Sequence, residues 1–92
     1  MKIAYQFDSN HIHICEGQLG TNIEFAITII NEELMLLGLK EVQKIFKNRA
    51  TTDVLFLLYG QNQYRVIVRN ETYLEFLLEL KRQGLLLEVG GN

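Results

Sequence analysis

The chain has no proline and no tryptophan, and its single cysteine cannot form an internal disulfide. One cysteine suits a reducing compartment, which makes the cytoplasm the expected location. No uncharged apolar run is long enough for a membrane span, and the N-terminus has no continuous apolar stretch behind Lys2, so neither a span nor a signal peptide is expected. Net charge is −2. Lys40, Lys44, Lys47 and Arg49 cluster but have acids nearby, so the basic excess usual for nucleic-acid binding is missing. Also missing are a Ser-His-Asp constellation, paired catalytic carboxylates and a P-loop.

What is present is apolar: 48% of 92 residues. One domain of this size buries roughly 60–65% of its unfolded surface, so its core has little margin. A high apolar fraction with no proline to stiffen loops points to either a well-filled monomer or a surface that meets a second copy or another protein.

The clearest unit is residues 54–89. Val54 to Tyr59 is apolar on both sides, the pattern of a strand shielded on both faces by helices or by a second copy. Gly60 to Gln63 can turn. The return strand, 63–69, alternates: Tyr64, Val66 and Val68 on one side, Arg65, Ile67 and Arg69 on the other. A helix over 71–83 follows, with Asn70 as N-cap, Tyr73, Leu74, Leu77, Leu78 and Leu80 on its apolar face, and Gly84 as its stop. Leu85 to Val89 reads as a last strand, and Gly90-Gly91-Asn92 as a frayed end.

In the first half, Ile3, Tyr5 and Phe7 alternate, as do Ile12 and Ile14, with Asp8-Ser9-Asn10 between them as a turn. This predicts an N-terminal hairpin of strands 2–7 and 11–15. Residues 23–30 satisfy two periods. Thr21 and Glu24 fit a capping box, and Ile23, Ile27, Ile30 and Leu34 form a helical stripe. Ile23, Phe25, Ile27 and Ile29 also alternate and are rich in β-branching, with Asn31-Glu-Glu as a second helix start. The cap favours a helix over 22–48, with a break near Gly38. The expected fold is then α+β: an N-terminal hairpin plus a ferredoxin-like βαββαβ two-layer sandwich, with a mostly antiparallel sheet and two helices on one face. If 23–30 is a strand, the path through the sheet changes.

Three groups of residues can carry chemistry. His11, His13 and Cys15 share a strand face. Histidines at i and i+2 lie roughly 6–7 Å apart, within joint reach of zinc or copper, if Glu16, Asp8 or a helix carboxylate supplies a third ligand. Second, the eight residues Cys15-Glu-Gly-Gln-Leu-Gly-Thr-Asn22 resemble the phosphocysteine loop of sugar-transport IIB proteins and the thiol loop of small tyrosine phosphatases. The resemblance implies a reactive Cys15 thiol and an anion held at a helix start. Thr21-Asn22 stands where the phosphatases place an arginine, and the IIB proteins use a parallel sheet. Third, Arg65, Ile67 and Arg69 form a binding face that can hold RNA phosphates, although no stacking ring shares their side of the strand, since Tyr64 lies on the other. The absence of catalytic motifs and the apolar excess favour a non-enzymatic interaction or regulatory protein, working through a sheet face or an apolar edge on a protein partner or as a homodimer. It is expected to need no cofactor.

Overall fold

The computed structural model describes residues 2–90. It is an α+β two-layer sandwich with two helices on one face of an antiparallel sheet. The elements in chain order are β1 (Tyr5–Gln6), β2 (Ile12–Leu19), β3 (Asn22–Ile29), α1 (Glu32–Lys47), β4 (Val54–Gly60), β5 (Gln63–Arg69), a 3-10 turn (Asn70–Thr72), α2 (Tyr73–Arg82) and β6 (Glu88–Val89). The main sheet has the order β2-β3-β5-β4, and β1 pairs with β6 in a separate two-stranded ribbon.

The class matches the sequence; the path differs at residues 22–29, which form a strand instead of the first turns of a helix. The period-two set wins because it buries more. Ile23, Phe25, Ile27 and Ile29 are each 4% exposed or less, whereas Ile30 and Leu34 of the helical stripe are 54% and 58% exposed. Gly20, at φ 62°, makes a tight turn where Thr21 would have capped a helix. The second helix start operates instead: the Asn31 side chain accepts from the Leu34 amide at 3.2 Å.

Two pairings change with it. β2 pairs with β3, not with the N-terminal segment, whose β1 pairs with β6 (Tyr5↔Val89, Gln6↔Glu88). The chain therefore runs hairpin, helix, hairpin, helix, and every neighbouring pair in the sheet is antiparallel. A βαββαβ path would instead place its first and third strands side by side in parallel. Gly90, expected to fray, donates its amide to Ala4 O at 2.8 Å. Gly91 and Asn92 lie outside the described residues.

The core lies between the helices and one sheet face. Phe76 of α2 is fully buried, and its ring centroid is 5.0 Å from Phe25 on β3, 5.9 Å from Phe46 on α1 and 6.4 Å from Phe56 on β4. Arg49, just after α1, pairs with Glu75 of α2 and holds its carboxyl below the usual range. Asn70, expected as the cap of α2, sits in the 3-10 turn, and the helix starts at Tyr73.

Gly38 does not break α1, which runs unbroken from Glu32 to Lys47. It is small for a packing reason: a Cβ there would lie 2.8 Å from the backbone oxygen of Gln83, at the end of α2. Gly38→Ala is therefore expected to lower stability by about 1–3 kcal/mol in chemical denaturation, although alanine is the better helix former. Gly17→Ala, with nothing within 4 Å of the added carbon, should change stability by no more than about 0.5 kcal/mol. Equal effects at the two positions would contradict the close helix approach.

Candidate interaction face

Two helices cover one side of a four-stranded sheet and leave the other side open. Register fixes which residues occupy it. His13, Thr28 and Gln63 form one cross-strand row; Cys15, Ala26, Arg65 and Leu57 the next; Gly17, Glu24, Ile67 and Leu55 a third. The first two strands contribute mostly small and polar groups. β4 contributes leucines and a tyrosine.

The shielding expected on both faces of β4 is absent among the described residues. Val54 and Phe56 face the helices, but Leu55 is 46% exposed and Leu57 38%. Leu58, on the helix side but toward the far end of the strand, is 70% exposed, and Tyr59 63%. β4 is also an edge strand. Its seven residues include no charge and no proline, the usual guards of an open edge.

The opposite edge, β2, is guarded. Glu16 shares its register row with Phe25, Val66 and Phe56, on the helix side. Its carboxylate accepts from the Tyr73 hydroxyl, with O–O distances of 2.8 and 3.0 Å to its two oxygens. The same hydroxyl accepts from the Ile3 amide at 3.0 Å, and the Phe7 ring meets His13 edge-on. The N-terminal segment is thus tied along the β2 side of the molecule, and an inward carboxylate makes that edge a poor template for another strand. Burial, with Glu16 close by, pushes Tyr73 up to about 12, and the same two causes raise Tyr5.

The sequence-derived candidates are dispersed. His11 lies in the turn before β2; its Nδ1 is 3.3 Å from Asn31 Nδ2 and its Nε2 3.5 Å from Asp8 Oδ2. His13 and Cys15 remain together, with Nδ1 and Sγ 3.8 Å apart on the open face. Glu16 points to the other face, and among the described residues no three His, Cys, Asp or Glu groups converge. His13 and Cys15 alone supply two donors of the four a structural zinc takes. The loop expected to hold an anion is a strand and a tight turn: Cys15 is mid-strand in β2, and among the described residues no helix starts next to it. The resemblance to the thiol-loop families fails there, because the helix that would supply the amides begins only at Glu32.

Arg65 lies 3.3 Å from Glu24 Oε2, with its guanidinium 5.0 Å from the Tyr59 ring centroid. Arg69 faces Asp53 at 3.5 Å, and Ile67 sits between Glu24 and Leu55. Both arginines therefore have a carboxylate partner before any ligand arrives. Sequence reasoning weighed Glu16 only as a metal ligand, not as an inward carboxylate, and missed Tyr59. Glu16 had a signal, since it continues the inward Ile12, Ile14 register. Tyr59 joins Arg65 only through the pairing of two strands. Comparison with family models, curated proteins and solved structures finds no match. No helix of the described residues is long and apolar enough to cross a membrane.

A tyrosine whose folded value is raised stabilises the fold fully below its unfolded value, near 10. That contribution declines as pH climbs from there toward 12 for Tyr73. Tyr73→Phe is expected to cost about 1.5–3 kcal/mol near neutrality, through its lost bond to a charged acceptor. It should also make stability fall less steeply above pH 10. Parallel alkaline limbs for the two proteins, in urea melts read by circular dichroism, would contradict the Tyr73–Glu16 linkage.

Proposed function

We propose that this chain is a non-enzymatic interaction or regulatory protein that binds a protein partner through β4 and the sheet face beside it. The observation that carries the reading is the contrast between the two sheet edges. One is guarded by an inward carboxylate and the N-terminal segment. The other offers four exposed apolar side chains on an uncharged strand. An edge of that kind favours strand addition, in which backbone hydrogen bonds give affinity and alternate side chains give selectivity. The cytoplasm is the proposed location, supported by the single unpaired cysteine. Nucleic-acid binding has thinner support, because Arg65 and Arg69 already face Glu24 and Asp53.

A photoreactive benzoylphenylalanine at Leu57, compared with one at exposed Lys40 on α1, tests this reading in living cells. Irradiation is expected to yield one or a few discrete protein adducts from position 57 and none from position 40. No adduct from position 57, or the same diffuse labelling from both, would refute a protein-binding role for this face.

A further inference from the structure

We infer that the partner of β4 is β4 of a second copy, paired antiparallel about a two-fold axis at Phe56 to form a continuous eight-stranded sheet. The inference rests on the protein-binding reading above and commits it to one occupant. Three observations lead to it.

The first is the direction of the backbone groups. The Arg69 amide donates to Asp53 O at 2.9 Å, and those two residues lie opposite each other in the register that continues through Val54↔Val68. In an antiparallel ladder, hydrogen-bonded pairs recur every second residue. Leu55 and Leu57 therefore bond inward to β5, and Val54, Phe56 and Leu58 aim their N–H and C=O groups at the open edge. Those groups suit another strand, and burial without one would be costly.

The second is the length of the usable edge. The β4–β5 register is regular from Val54 to Leu58 and shifts between Leu58 and Gly60. The irregularity ends the ladder available to a visitor. Five residues remain, and Phe56 is their centre. A two-fold there pairs all five: Val54 with Leu58 of the second copy, Phe56 with Phe56, and Leu55 with Leu57. No charge meets a like charge along this seam, because the strand has none.

The third is shape. Leu58 is the most exposed side chain of the strand, at 70%, and lies on the helix side. At the other end of the same strand, on that side, a cleft of about 270 Å³ opens between Phe46 and Lys47 of α1 and Val54 and Phe56. A two-fold at Phe56 brings Leu58 of each copy beside Val54 of the other, at the mouth of that cleft. Knob and hollow on one strand, exchanged by the axis, form a self-complementary surface of the kind an isologous dimer requires. A different protein would need to bring its own matching leucine.

Light scattering and directed disulfides test this, with Cys15→Ser as background. The protein is expected to be a dimer at roughly 100 μM, and Leu58→Glu, at an exposed position, to weaken it on the order of tenfold or more. Leu55→Cys and Leu57→Cys chains, mixed and oxidised, are expected to form a covalent dimer that neither forms alone. A monomer at that concentration overturns the inference, as does cross-linking of Leu57→Cys to itself, which would put the axis elsewhere. If the particle is monomeric and position 57 instead yields adducts heavier or lighter than twice the chain mass, the second copy is wrong and the protein-binding reading survives. No adduct of any mass would remove both.

Discussion

The Phe76 ring holds the two layers together. It reaches α1, β3 and β4 at once through Phe46, Phe25 and Phe56. Its position on α2 depends on how closely the end of that helix approaches Gly38. Burying one aromatic against three elements fixes their spacing, because close-packed interiors tolerate little change in volume. The same arrangement commits both helices to one side of the sheet. Everything on the other side is left to the sheet's own residues, and each strand must manage that exposure for itself.

The strands manage it differently. β2 and β3 turn small or polar groups outward: Cys15, Gly17, Glu24, Ala26 and Thr28. β5 turns out two arginines with partners already in the chain, and β4 turns out leucines. A small domain has little apolar area to spare, so Leu55, Leu57, Leu58 and Tyr59 left outside the core contribute little to folding as a monomer. Under the proposed reading they stabilise an assembly, by strand addition at an unguarded edge. The tie among Ile3, Tyr73 and Glu16 has the opposite effect, since it guards the other edge of the main sheet.

Much of this was legible in the residues, and the failures have physical causes. Alternation in 63–69 and the amphipathic face of α2 identified their elements, because each segment obeyed a single period. Residues 22–29 obeyed two. Local cap chemistry pointed to a helix, but the outcome depended on partners on both sides, β2 and β5, which no local window contains. Gly38 looked like a break because glycine is a poor helix former; its role is set by Gln83, far along the chain. The unbroken apolar run 54–59 predicts cover on both faces, by helices or by a second copy; the helices cover only one, and Leu55 and Leu57 of the other are exposed. His11 and His13 separated because the strand starts only at Ile12, which frees His11 to turn toward Asp8 and Asn31.

The central seam of the sheet joins Asn22 to Arg69 and Thr28 to Gln63. Each hairpin can zip up from its own short turn, on a scale of about 1–10 μs. The seam between them must wait until the whole intervening segment has been drawn in, at the entropic cost of closing a long loop. Until it closes, β3 and β5 show raw margins as well, whereas the β4 edge is open before and after. If β4 pairs with itself as proposed, that pairing is therefore open to two nascent chains as well as to two finished ones.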